Sequence, residues 1–312
     1  HYFRRTCRIK PQTDAIEACF PLTWAWVSDF GALTKPRIVA FVALSTLVGF
    51  VLGSTGSLCL ELLLHTLIGT AMVSGGAAAL NQFIERDMDA RMARTAGRPL
   101  PAGRLQPEEV HCFGVLLSAS GIFYLGMTVN VGTGLAAALT LVIYLFLYTP
   151  LKQKTTLNTA VGAVAGALPP VGGWIAAAGS PSVGSWALFS ILFLWQFPHF
   201  LAISWLYRED YARGGYRILS VLDPDGRRTG RQVAIYSLIL LLFSPFPSFL
   251  GMTGLFYFFA SLLLGLVFMG FGLRFCVART NRRARLLMLA SLVYLPMLWL
   301  LMILDRILIL KT

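Results

Sequence analysis

The chain has 312 residues, 56% of them hydrophobic and 13% charged, with a mean hydropathy of +0.70. That balance excludes an ordinary soluble domain and describes a membrane protein. The formal charge of +12 raises nucleic acid as a partner, but its distribution argues against one. In chain order, residues 1–32 form a basic tail, opening "HYFRRTCRIKPQ" with no acid before Asp14; it reads as the solvated flank of a first span in preference to a targeting remnant. Nine nearly uncharged apolar runs follow, each long enough to cross roughly 30 Å of hydrocarbon as a helix. They lie at 38–56, 62–82, 110–129, 132–149, 159–178, 184–205, 232–250, 254–273 and 286–304. The predicted fold is all-α: a polytopic membrane protein, a bundle of about nine transmembrane helices, with residues 33–312 as a single membrane domain.

Nine spans from a cytoplasmic N-terminus place the tail and the loops near 83–109, 150–158, 206–231 and 274–285 on one side. Of the 26 Lys and Arg, 24 lie there, leaving only Arg306 and Lys311 opposite. This is the positive-inside pattern. The basic balance therefore reports orientation, and it permits anionic lipid headgroups or an anionic substrate at the inner face, where a site would open to the cytoplasm. Cys7, Cys19, Cys59, Cys112 and Cys276 show neither a disulfide framework nor zinc spacing.

The second span runs into "LNQFIERDMDARMARTAGRPLPAGRL" at 80–105. Asn81, Glu85 and Asp89 are spaced i, i+4, i+8, so a helix continuing out of the span puts all three on one stripe about 12 Å long. Asp87 falls off it, and the helix is expected to stop before Pro99. Arg91, Arg94 and Arg98 then lie close to the stripe. A solvated ion-paired loop is the bland reading; an amide and two carboxylates in register beside arginines are better described as oxygen ligands for Mg²⁺ next to donors for phosphate oxygens. The chemistry that needs both is ionisation of an allylic diphosphate, whose leaving group is poor until metal and Arg or Lys neutralise its developing charge. An isoprenoid would keep its tail among the apolar helices and its headgroup at the inner face.

That stretch resembles the first aspartate-rich motif of the UbiA-type intramembrane prenyltransferases, Asn-x3-Asp-x3-Asp. Within them the chain is most similar to the haem O synthase branch, through "YTPLKQKTTLNTAVGAVAGALPPVGGW" at 148–174, "WQFPHFLAISWLYREDYARGGYRIL" at 195–219 and "DPDGRRTGRQ" at 223–232. The resemblance covers nearly the whole chain from Leu33. Glu85 departs from the pattern's Asp but remains an oxygen ligand, and Ser220 stands where a proline is usual. The resemblance implies Mg²⁺ as cofactor, with Mn²⁺ as a substitute, farnesyl diphosphate as donor and haem B as acceptor, giving haem O. It implies Asn81, Glu85, Asp89 and Arg98 as the catalytic group, and a second metal or phosphate site at Glu209 and Asp210. Haem A synthase is a partner it admits, the bilayer a necessary one. The compact chain with a short tail reads as a bacterial inner-membrane protein in preference to a mitochondrial one.

Several residues keep two readings. Arg208, Arg213 and Arg217 suit either phosphate oxygens or haem propionates. Lys152 and Lys154 suit diphosphate or inner-face anchoring, and Tyr144 and Tyr148 suit an isoprenoid cavity or the interfacial aromatic belt. His199 follows Pro198, which breaks the backbone ladder; it is either an axial ligand orienting haem or a buried histidine bonded to a freed carbonyl. His65 and His111 have no such context. "SGGAAAL" at 74–80 and Gly162-x3-Gly166 read as packing faces. A quinone or chlorin acceptor is the enzymatic alternative and a transporter the alternative of another class, though a transporter gathers its ionisable residues near mid-membrane.

Overall fold

The computed structural model describes residues 24–309, so the first 23 residues of the basic tail, with Cys7 and Cys19, lie outside it. Every regular element among the described residues is helical. Helix α1 (Trp24–Leu33) occupies a stretch that the apolar pattern leaves in the tail. The spans α2 (Pro36–Gly53), α3 (Leu60–Asp89), α4 (Pro107–Thr128), α5 (Val131–Leu151), α6 (Asn158–Ala178) and α7 (Val183–Leu206) follow. Short helices α8 (Arg208–Arg213) and α9 (Leu219–Leu222) come next, then the spans α10 (Arg227–Phe249), α11 (Leu255–Val277) and α12 (Asn281–Leu308).

Each predicted span has its helix, and several helices outrun their apolar runs at the charged end. α3 continues seven residues past position 82 to Asp89, and α10 and α12 each begin five residues early. Charge limits how much of a helix can lie in hydrocarbon, whereas the hydrogen-bond ladder continues until a turn or proline interrupts it. The expected stop before Pro99 comes earlier, at Asp89, where the Asp89 carbonyl accepts from the Thr95 hydroxyl at 2.8 Å and the chain turns. At the tight join near Gly132, α4 ends at Thr128 and Asn130 caps α5, its side-chain oxygen accepting from the Thr133 N–H at 2.8 Å.

Lipid tails are as apolar as leucine, so close backbone packing, not water exclusion, decides which spans touch. A Cβ on Gly49 would strike the Pro170 carbonyl and one on Gly173 the Thr46 carbonyl, which sets α2 hard against α6. Gly76 and Gly114 do the same between α3 and α4. Gly162 yields its space to the Tyr148 ring, 2.6 Å from where a Cβ would stand. α7 is the most buried span, and Leu188, Ile191, Trp195 and Trp205 pack there in one core with Phe275, Tyr294 and Trp299. α12 returns against α2 and closes the bundle. α5 ends in a π-helical turn, Ile143–Tyr148, which brings the Tyr144 and Tyr148 rings within 5.4 Å of each other.

Candidate active site

Thirty residues make α3 about 45 Å long, roughly three turns more than the hydrocarbon needs. The excess carries the stripe. Asn81, Glu85 and Asp89 are 2%, 4% and 1% exposed, while Asp87 faces outward. Burying three oxygen groups demands partners, and each receives a cation from a different segment. Lys35 donates to Asn81 Oδ1 at 3.3 Å, Lys152 to Glu85 Oε1 at 2.7 Å and Arg98 to Asp89 Oδ2 at 2.5 Å. Burial alone would pull the Lys152 ammonium down, but Tyr148 and Glu85 outweigh it and hold the group well above its usual range. Lys35 goes the other way: burial, with Arg98 and Lys152 nearby, brings it down to about 7.

The loops that follow α3, α5 and α7 are stitched into one cap over this stripe. The Ala93 N–H donates to Asp210 at 3.3 Å, and Asp210 pairs with Arg213. The Arg217 N–H donates to the Lys152 carbonyl at 2.7 Å, and Asn158 Nδ2 donates to the Arg217 carbonyl at 3.2 Å. The Arg94 guanidinium lies over Tyr207 and Tyr211, 5.1 and 5.7 Å from the ring centres. Lys152 lies 4.5 Å from the centre of the Tyr148 ring. Burial opposes the charge of Asp210, yet Arg213 and the Ala93 and Arg94 N–H groups hold its carboxyl below the usual range. A cavity of about 440 Å³ opens beside the stripe, lined by Lys35, Arg94, Arg98 and Arg104 together with Gln82, and no carboxylate lines it.

The structure thus gathers Asn81, Glu85, Asp89, Arg94, Arg98, Lys152, Tyr144 and Tyr148 around one place. Arg91, Lys154, Glu209, Arg213 and Arg217 are exposed at the rim. Arg208 is bound toward α12, donating to the Trp205 carbonyl at 2.9 Å and to Asn281 Oδ1 at 3.1 Å. Two residues escape the sequence reading. Lys35 has only the "TKPR" stretch before the first span to signal it, and Tyr216, buried, has nothing. Burial and the neighbouring Glu85 push the Tyr216 phenol well above its usual value.

His199 is 8% exposed and stacks on Trp195, ring centres 4.7 Å apart at 15°, with Trp195 stacked in turn on Phe41 of α2. Its Nδ1 meets Ser291 Oγ at 2.7 Å. Ser291 Oγ also lies 2.6 Å from the Met288 carbonyl; with its single proton given to that carbonyl, Nδ1 is the donor to Oγ and the lone pair falls on Nε2. The bond is to a side-chain hydroxyl and not to a carbonyl freed by Pro198.

The chain matches the model of the UbiA prenyltransferase family over residues 42–302. It is 48% identical over 287 residues to the protoheme IX farnesyltransferase of Solibacter usitatus (strain Ellin6076), a match covering 89% of this chain and 98% of that protein. The mitochondrial protoheme IX farnesyltransferase of Arabidopsis thaliana is 39% identical over 268 residues, covering 85% and 62%. Among solved structures, a digeranylgeranylglyceryl phosphate synthase matches with a TM-score of 0.76 at 14% identity, over 91% of this chain and 99% of that one. A UbiA homolog from Archaeoglobus fulgidus bound to DMAPP and Mg²⁺ matches with 0.65 at 16%, over 88% and 99%. At those identities the two structures speak for the fold alone. The family match runs from α2 into α12 and takes in the stripe, Arg98, Lys152 and the cap, so this chain is a prenyltransferase of the UbiA family.

Proposed function

We propose that this enzyme converts haem B to haem O by transferring the farnesyl group of farnesyl diphosphate to a porphyrin vinyl group. The observation that carries the reading is the cation-paired stripe Asn81–Glu85–Asp89 at the charged end of α3, in a chain 48% identical to a relative named for that reaction. An amide oxygen and two carboxylates are hard donors that suit Mg²⁺ or Mn²⁺. Among the described residues no three His, Cys, Asp or Glu side chains converge on a metal by themselves, so a metal held by the stripe would take further oxygens from the substrate's phosphates. When bound, the metal supplies Lewis-acid neutralisation of the departing diphosphate.

The remaining work falls to the chain. Arg94, Arg98 and Lys152 present N–H donors to the phosphate oxygens as the allylic C–O bond breaks and its electron pair leaves with diphosphate. Tyr144 and Tyr148 border the isoprenoid. The vinyl π pair forms the new C–C bond, and water captures the resulting cation and loses a proton. No side-chain nucleophile is needed. The Nε2 lone pair of His199 orients the substrate haem through its iron, and Arg213 and Arg217 at the rim meet its propionates. Glu209 and Asp210 are the acids that would hold a second metal, Asp210 being paired with Arg213 in this structure. The positive-inside loops and the bacterial relatives support a bacterial inner membrane with the site on the cytoplasmic side.

The test uses purified protein in vesicles with haem B, farnesyl diphosphate and Mg²⁺. Diphosphate is released and a more hydrophobic haem appears, heavier by one farnesyl unit and one water, and chelation stops both. Product from 4-hydroxybenzoate but not from haem moves the function to quinone synthesis. Solute flux across the vesicles without diphosphate release overturns the reading altogether.

A further inference from the structure

Lys35 is the one non-glycine residue with positive φ among those described, at φ 51° and ψ 65°, where α1 gives way to α2. The turn itself asks only for a left-handed residue, and Gly or Asn adopts that conformation more readily than Lys. What Lys adds is its ammonium. That group donates to Asn81 Oδ1 at 3.3 Å, while Asn81 Nδ2 donates to Thr149 Oγ1 at 3.2 Å and the Thr149 hydroxyl donates to the Tyr144 carbonyl at 2.8 Å. Read in sequence, the three bonds leave no freedom: the amide oxygen of Asn81 points to Lys35 and its nitrogen to α5. Lys35 also lines the cavity whose other charged walls are Arg94, Arg98 and Arg104. It therefore stands between an oxygen stripe and an anion-attracting pocket.

We propose that Lys35 is a diphosphate-binding residue that also positions Asn81, holding the amide oxygen outward and passing its own ammonium to a phosphate oxygen when the ligand enters the pocket between Arg94 and Arg104. The assignment rests on the reading of this site as the one that binds diphosphate. Backbone strain makes it separable from a structural role, because Lys35→Gly removes the ammonium and at the same time relieves the left-handed conformation.

The experiment measures the whole protein in detergent: retention of labelled inorganic pyrophosphate with Mg²⁺ by equilibrium dialysis, Mn²⁺ uptake with pyrophosphate by electron paramagnetic resonance, and the melting temperature. Lys35→Gly melts no lower than the native protein and binds pyrophosphate about 10- to 100-fold more weakly, the loss expected for one hydrogen bond to a charged group. Lys35→Arg recovers part of the affinity. Unchanged pyrophosphate affinity in Lys35→Gly overturns the assignment, as does a drop in melting temperature that accounts for the lost binding. Should the native protein retain pyrophosphate without taking up Mn²⁺, the metal reading of the stripe falls, and the pyrophosphate affinity of Lys35→Gly still decides Lys35. Retention of neither ligand overturns both.

Discussion

Glu85 and Asp89 each face a single cation in a buried setting, so changing either one alters two things at once: a donor oxygen disappears and a positive charge is left without its partner. Glu85→Gln is therefore a cleaner probe than Glu85→Ala, because it keeps the volume and one oxygen. Asp89→Ala and Glu85→Gln are expected to slow diphosphate release in vesicles by about 10²- to 10³-fold, the scale on which removal of one transition-state contact acts. Glu85→Asp retains most of the rate. Normal turnover of Asp89→Ala with Mg²⁺ limiting would show that the stripe holds no metal. His199 offers a second probe through its partner. Ser291→Ala leaves Nδ1 without its acceptor and frees the ring to turn, so haem affinity should fall about tenfold, the order of one hydrogen bond, with the KM for farnesyl diphosphate unchanged. A shifted haem absorption spectrum accompanies the loss if His199 reaches the iron; equal weakening toward both substrates points to packing alone.

The helices depend on joints that their own sequences supply. Asp223 accepts from the Thr229 N–H at 2.7 Å and from its hydroxyl at 2.8 Å, capping the first turn of α10. Burial works against the carboxylate there, and the Thr229 bonds outweigh it and hold Asp223 below the usual range. A depressed folded value means that the cap contributes fully above the ordinary carboxylate range and loses its contribution as the pH falls through the folded value. Asp223→Ala should cost about 1 kcal/mol, read as a lower melting temperature at pH 7 and a difference from native protein that shrinks on acidification. The α2–α6 contact obeys steric rules instead. Gly173→Val forces a side chain into the Thr46 carbonyl, and overpacking of that kind costs about 1–3 kcal/mol; a melting temperature equal to native would show that the two backbones can part without loss.

At the scale of the molecule, one site is assembled only if the loops after α3, α5 and α7 share a side. Their bonds, Ala93 to Asp210 and Arg217 to Lys152, require it. Cysteines placed at Arg94 and Arg217 in a background without Cys7, Cys19, Cys59, Cys112 and Cys276 should label together from the cytoplasmic face of sealed vesicles. Labelling of the two positions from opposite faces would break the single-site arrangement.

The register of Asn81, Glu85 and Asp89 is a property of one helix, so residue spacing alone determined it. The number of spans and their charge asymmetry are likewise local quantities, set by hydrocarbon thickness and by where Lys and Arg stop. The ends of α3, α10 and α12 were less legible, because apolarity marks the membrane and not the hydrogen-bond ladder. Which cation meets which oxygen was decided by the tertiary structure. Lys35 lies 46 residues from Asn81 and Lys152 lies 67 from Glu85, and many basic residues on the same face satisfy charge complementarity equally well. Tyr216 reaches Glu85, and Arg208 turns toward α12, only because glycine-lined contacts bring the spans to their particular distances. Charge attracts without choosing a partner, and it is the steric fit of the packed helices that makes the choice.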